Sequence, residues 1–144
     1  MEPVNVFVID DDDIYQFTIA VTLRSIPAVG STRTFSDGAE ALEYIVVHQN
    51  DEDKLPDIIF LDINMPVMDG FQFMEEFVEL LPSLKKSIKV YMVSSSMDPK
   101  DIKRAKRIDE ISDYLIKPLN SADIKEIIAN LRSEERRVGK ECAT

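Results

Sequence analysis

The sequence predicts an α/β fold: a doubly wound, five-stranded parallel sheet with five helices, in (βα)5 order. Three observations predict it. Short apolar, β-rich runs occur five times along the 144 residues, and each is followed by residues at helical spacing. The central runs are too continuously apolar for a strand with one wet face, which calls for helices on both sides of the sheet. The length is that of one ordinary domain.

The elements follow in order. Val4 to Ile9 reads Val-Asn-Val-Phe-Val-Ile and ends abruptly in four carboxylates, Asp10 to Asp13. Ile14, Phe17 and Val21, with Ala20 beside them, keep helical spacing toward Pro27. Ser31 to Phe35 alternates as a weaker second strand, and Ser36 can cap a helix over Ala39, Leu42, Ile45 and Val46. The polar stretch from Asn50 to Pro56 reads as a loop. Asp57-Ile-Ile-Phe-Leu-Asp62 is a third strand, again closed by an aspartate. Turn chemistry from Asn64 to Gly70 leads into a helix marked by Phe73, Phe77, Leu80 and Leu81, ending near Pro82. Ile88 to Val93 forms a fourth strand running into Ser94, Ser95 and Ser96. Asp98-Pro99 opens a helix with a thin apolar face of Ile102, Ala105 and Ile108. Tyr114 to Ile116 is a fifth strand, closed by Lys117-Pro118, and Ile124, Ile127, Ile128 and Leu131 give the stripe of a last helix. Parallel neighbours need right-handed crossovers, which these helices supply. Residues 132–144 continue without an apolar face and resemble the translation of a sequencing-adapter read; they are set apart as a non-native-looking tail, leaving a working domain over residues 4–131.

Composition narrows the function. Seventeen Lys and Arg against 27 Asp and Glu give a formal charge of -10, the opposite of a nucleic-acid footprint, so direct nucleic-acid binding is not expected. No apolar run reaches the roughly 18 to 20 residues of a membrane span, and Met1-Glu2-Pro3 lacks the basic and apolar pattern of a signal peptide, so no membrane insertion is expected. Cys142 is the only cysteine, which excludes an intramolecular disulfide and a thiolate zinc cluster. The expected location is cytoplasmic.

In open α/β sheets, sites form beyond the carboxyl ends of the strands. The residues there are Asp10 and Asp11, Asp62, Ser94 and Lys117. Clustered carboxylates repel unless a cation intervenes, and hard oxygen ligands suit Mg2+. A lysine can neutralise oxygens on a transferred phosphoryl group, a serine hydroxyl can donate to another, and an aspartate can be the nucleophile. Phosphoryl transfer onto Asp62 follows as the expected chemistry. Asp12 and Asp13 are better read as helix-capping acids, and His48 as a surface residue at a helix end.

The sequence resembles the receiver domain of two-component response regulators. The match lies in Val8-Ile-Asp-Asp11, Phe60-Leu-Asp-Ile-Asn-Met-Pro66 with Met68-Asp-Gly70, Met92-Val-Ser-Ser95, and Tyr114-Leu-Ile-Lys-Pro118, in order and over roughly Val4 to Leu131. The resemblance implies a flavodoxin-like fold and a phosphoryl group accepted on Asp62 from a histidine kinase or a histidine phosphotransfer protein. It implies Mg2+ bound by Asp11, Asp62 and the backbone carbonyl of Asn64, with Asp10 acting through water. Ser94 would contact the phosphoryl group, Lys117 would pair with it, and Tyr114 would be an aromatic switch. The Lys117-Pro118 bond would be cis. Ser94 stands where the family more often has threonine, and Asn64 and Ser96 stand where it tunes phosphate lifetime.

The expected role is that of a phosphorylation-activated signalling switch, not an enzyme beyond its own phosphorylation from a phosphodonor and autodephosphorylation. Output would pass through protein contacts at the face of the fourth helix, fifth strand and fifth helix. The fourth helix stands out, because Lys100, Lys103, Arg104, Lys106 and Arg107 oppose only Asp98 and Asp101 there, which suits a partner with an acidic surface. Two rival readings remain. One is a haloacid-dehalogenase-like Mg2+-dependent phosphohydrolase, against which Asp62-Ile-Asn64 lacks a second acid. The other is a phosphorylation-independent adaptor with the same fold.

Overall fold

The protein is described by a computed structural model over residues 3–65 and 67–131; the tail set apart at residues 132–144, with Cys142, lies outside the described residues. The strands are β1 (Val4–Ile9), β2 (Val29–Phe35), β3 (Ile58–Asp62), β4 (Lys89–Ser94) and β5 (Ile111–Ile116). The helices are α1 (Asp13–Arg24), α2 (Gly38–Val47), α3 (Gly70–Leu80), α4 (Pro99–Lys106) and α5 at residues 121–131. All four strand pairings are parallel, in the order β2-β1-β3-β4-β5. This is the predicted flavodoxin-like architecture.

Alternation along the central strands divides the core into two layers. Phe7 and Ile9 of β1, Ile59 and Leu61 of β3, and Val90 and Met92 of β4 pack with Ala41, Leu42 and Ile45 of α2, Phe73 and Phe77 of α3, and Ala105 of α4. Val6 and Val8, Ile58 and Phe60, and Val93 face the other way, onto Ile19 and Leu23 of α1 and Ile124 and Ile128 of α5. Side chains alternate across a strand, so a run apolar at every position needs a helical layer on each face.

Four local expectations change. The outer strands begin earlier than predicted, β2 at Val29 and β5 at Ile111. The added residues include exposed Gly30 in β2 and exposed Ser112 and Asp113 in β5, on sheet edges where a polar side chain can stay in water. The cap of α2 is Asp37, whose carboxylate accepts from the Glu40 amide at 2.8 Å, and not Ser36; Asp37 directly precedes the first helical residue and its charge suits the helix N-terminus. The face of α1 is also different. Ile19, Ala20 and Leu23 are buried, while Ile14 and Phe17 are 79% and 70% exposed and Val21 is exposed as well. The helix carries two apolar stripes, and the sheet takes the one that adds Tyr15.

Gly70 fixes the approach of α3 to the end of β3. Asp69 caps α3 in a reciprocal box with Gln72, the two backbone-to-side-chain bonds measuring 2.8 and 2.9 Å. The Gly70 amide then donates to the Ile63 carbonyl at 2.8 Å. A Cβ on Gly70 would overlap the carbonyl oxygen of Asp62 and come within 3.0 Å of the Ile63 Cα, both of them backbone atoms with little room to give. Gly70→Ala is therefore expected to destabilise by about 1–3 kcal/mol, read as a lower urea midpoint, and to shift the backbone amide resonances of Asp62 and Ile63.

Candidate functional site

Strand order reverses around β1, whose neighbours are β2 and β3. The loops leaving β1 and β3 diverge there, and the crevice between them is the natural site of this architecture. The register pairs Ile9 with Leu61, so the next residue on each chain, Asp10 and Asp62, is delivered side by side. Both are buried, and Asp11 is exposed.

Asp10 is held from several sides. Its amide donates to the Phe35 carbonyl at 3.0 Å, its Oδ1 accepts from the Asp12 amide at 2.9 Å, and its Oδ2 lies 2.6 Å from Lys117 Nζ. The Gln16 side-chain amide bridges the carbonyls of Asp10 and Phe35, tying α1 to the ends of β1 and β2. Lys117 arrives from β5, its amide donating to the Ser94 carbonyl at 2.9 Å and its bond to Pro118 cis, as expected. Its ammonium stands 3.6 Å from Asp62 Oδ1 and 4.3 Å from the centroid of the Tyr15 ring.

Asp10, Asp11 and Asp62 each offer a carboxylate oxygen within 4.8 Å of the others. Burial, and then the Asp10 carboxylate, push the Asp62 carboxyl up from 3.8 to about 6, against the opposing pull of Lys117. Asp11 acts in the same direction as Asp10, and the Ile63 amide acts with the lysine. Burial, Asp10 and Asp62 likewise raise the Tyr15 hydroxyl, so it stays protonated. Among the described residues one ammonium pairs with two of these three acids, and the cluster is short of positive charge. An oxygen-lined pocket with one ligand open to solvent fits a hard divalent cation that keeps some of its waters. Asn64 lies exposed in the loop two residues beyond Asp62.

Ser94 is completely buried at the end of β4, and its Oγ accepts from the Ser96 amide at 3.0 Å. Ser96 is a junction. Its carbonyl accepts from the half-buried Tyr114 hydroxyl at 2.8 Å, and its own hydroxyl donates to Asp101 of α4 at 2.8 Å. Ser94 and Tyr114 are thus joined through the β4–α4 loop.

The remaining candidates have other partners. Asp12 caps α1, accepting from the amides of Ile14 and Tyr15 at 3.0 and 3.2 Å, and Asp13 lies in the first turn. His48 caps the end of α2 with Nδ1 2.8 Å from the Tyr44 carbonyl. Tyr15 and Gln16 escape sequence reasoning, because their partners Lys117 and Phe35 are distant in the chain and no local pattern announces them. Among the described residues no helix is long and apolar enough to cross a membrane.

Comparison with known proteins agrees with this geometry. The family described as "Response regulator receiver domain" matches residues 6–129. A probable methanogenesis regulatory protein of Methanothrix harundinacea is 26% identical over 136 residues, covering 91% of this chain and 83% of its own. A protein-glutamate methylesterase/protein-glutamine glutaminase of Geobacter sulfurreducens is 29% identical over 95% of this chain, which spans only 33% of that longer protein. The crystal structure of a two-component response regulator from Cytophaga hutchinsonii superposes with a TM-score of 0.79 at 27% identity, covering 92% of this chain and 99% of that one. With the acidic cluster at the switch point of the sheet, these matches place the chain in the response regulator receiver family, the phosphorylation-activated switches of two-component signalling.

Proposed function

We propose that Asp62 is the phosphoacceptor of this switch, and the observation that carries the reading is the position of Lys117 Nζ between Asp10 and Asp62 in a cluster of three carboxylates. A carboxylate oxygen of Asp62 attacks phosphorus, the bond from phosphorus to the donor's histidine nitrogen breaks, and the nitrogen keeps the electron pair. Lys117 stabilises charge on the transferred oxygens. Asp10, Asp11, Asp62 and the Asn64 carbonyl are the groups that would hold Mg2+, which would add neutralising charge to the same oxygens. The domain comprises residues 4–131, and its own chemistry is limited to gaining and losing this phosphoryl group.

Switching follows from the partners of Ser94. As its hydroxyl is drawn toward the phosphoryl group to donate to it, the bond it accepts from the Ser96 amide is pulled along. That movement disturbs the loop on which the Tyr114 hydroxyl and, through Asp101, the start of α4 are anchored. Tyr114 then acts as the aromatic switch. The signal reaches α4, where Lys100, Lys103, Lys106 and Arg107 are exposed beside Met97, itself 73% exposed. An acidic partner suits this face, formed with β5 and α5. On the input side, the exposed stripe of Ile14, Phe17 and Val21 starts at the rim of the pocket and offers the phosphodonor protein an apolar dock.

Incubation with acetyl phosphate and Mg2+ tests the core of this reading. Stoichiometric labelling abolished by Asp62→Asn is expected; many turnovers of an external phosphate ester would mark a hydrolase, and no labelling an adaptor. A Phe17→Asp variant should lose at least about tenfold in transfer from a phosphorylated protein donor, since a central aromatic anchor dominates such contacts, while its labelling by acetyl phosphate stays unchanged.

The raised Asp62 carboxyl also has a thermodynamic consequence. Between about pH 6 and 3.8 the folded, metal-free protein holds a proton that the unfolded chain has released. Folding is therefore favoured as pH falls through that window, and the ionised Asp62 subtracts stability above it. Asp62→Asn is expected to stabilise the metal-free protein at pH 7.5 by on the order of 2 kcal/mol. Urea unfolding in the presence of a chelator should show that gain shrinking at pH 5; an equal gain at both pH values would contradict the burial argument.

A further inference from the structure

Tyr15 touches none of the reacting atoms assigned above, yet it forms one wall of the lysine's position. Among the described residues, the ammonium of Lys117 lies against Asp10 Oδ2 at 2.6 Å, Asp62 Oδ1 at 3.6 Å, and the face of the Tyr15 ring at 4.3 Å from the centroid. We propose that Tyr15 is a positioning residue for Lys117, its ring holding the ammonium between Asp10 and Asp62 and thereby setting the rate at which the phosphoryl group is gained. The inference rests on the reading of Asp62 as phosphoacceptor and Lys117 as its cation.

Asp10 at 2.6 Å holds the ammonium more tightly than Asp62 at 3.6 Å, and without another contact the flexible four-carbon stem of Lys117 would let the ammonium turn further toward Asp10. An aromatic face attracts a cation through its quadrupole, most strongly where water is scarce. Here the Lys117 side chain is only 18% exposed. The ring is itself anchored. Tyr15 sits in the first turn of α1, its amide donates to the Asp12 cap at 3.2 Å, and its side chain packs against the core layer of Ile19, Leu23 and Phe60. The contact therefore links the first turn of α1 to the residue after β5 across the mouth of the pocket.

The ring rather than the hydroxyl carries this role. The Tyr15 oxygen is buried and has no hydrogen-bond partner among the described residues. A phenolate would bind Lys117 as an ion pair, but the burial and the facing carboxylates already described keep the phenol neutral, leaving the π face as the attractive surface. Phenylalanine should thus replace Tyr15 without loss, whereas leucine, which fills much of the volume but has no π face, should not.

The test compares wild type, Tyr15→Phe and Tyr15→Leu for the rate of labelling by acetyl phosphate in saturating Mg2+. Expected are a rate within about twofold of wild type for phenylalanine and one lower by roughly three- to tenfold for leucine, the range a partly desolvated cation–π contact accounts for. In a Lys117→Ala background the leucine substitution should make no further difference, because Tyr15 acts through that lysine. Proton NMR of the unphosphorylated protein reads the contact directly and does not depend on phosphorylation. Ring current should move the Lys117 ε-methylene upfield in wild type and Tyr15→Phe but not in Tyr15→Leu. An ε-methylene at its ordinary position in wild type, an unimpaired leucine variant, an equal loss in both variants, or a leucine effect that persists without Lys117 would each overturn the proposal. Should Tyr15→Leu fail to fold, the wild-type and Tyr15→Phe spectra decide by the same criterion. If labelling of wild type is absent or survives Asp62→Asn, the reading of the site fails, while the NMR shift still decides the contact.

Discussion

Repulsion between Asp10 and Asp62 is the constraint around which this domain is arranged. Parallel pairing of β1 and β3 delivers the two acids to adjacent strand ends, where burial makes each charge harder to tolerate. The neighbouring features answer that problem. Lys117 is brought from β5 to stand between the acids, Gln16 ties down the carbonyl of Asp10, and Gly70 lets α3 approach the Asp62 backbone. One lysine against three carboxylates leaves the site unbalanced, and that imbalance is what gives it an appetite for a cation and for a group that arrives with one.

The link from the pocket to the surface is short and made of bonds of ordinary strength. Ser94, Ser96, Tyr114 and Asp101 are connected by three hydrogen bonds that meet at Ser96 in the β4–α4 loop. A neutral hydrogen bond contributes about 1 kcal/mol net, so exchanging a few of them separates two conformations by only a few kcal/mol. A phosphoryl group brings about -1.5 to -2 charges at neutral pH. On the proposed reading, its differential contacts with Ser94 and Lys117 would be of the size needed to tilt such an equilibrium.

Much of this was legible in the chain because the decisive features are local. Apolar runs closed by Asp10 and Asp62 declare their strands, and apolar alternation with helices declares the sheet. The edges were harder to read. Ser112 and Asp113 look like loop residues because an edge strand may leave polar side chains in water, so β5 starts three residues before its obvious core at Tyr114. Helix α1 shows a different limit: Ile14, Phe17 and Val21 are as regularly spaced as Tyr15, Ile19 and Leu23, and periodicity cannot say which stripe the sheet will cover. The contact of Tyr15 with Lys117 joins opposite ends of the chain, and no local pattern encodes it.

The division of the core into two layers has one more consequence. Helix α1 packs on one face of the sheet and α4 on the other, while the carboxylate pocket opens at the edge they share. On the proposed reading, a donor seated on α1 would share its helical layer with α5 of the output face, while α4 lies in the opposite layer. A target that held α4 alone would leave the donor's side open, whereas one that also gripped α5 would crowd it, so the reach of the target round β5 would set whether the two partners bind together or in turn.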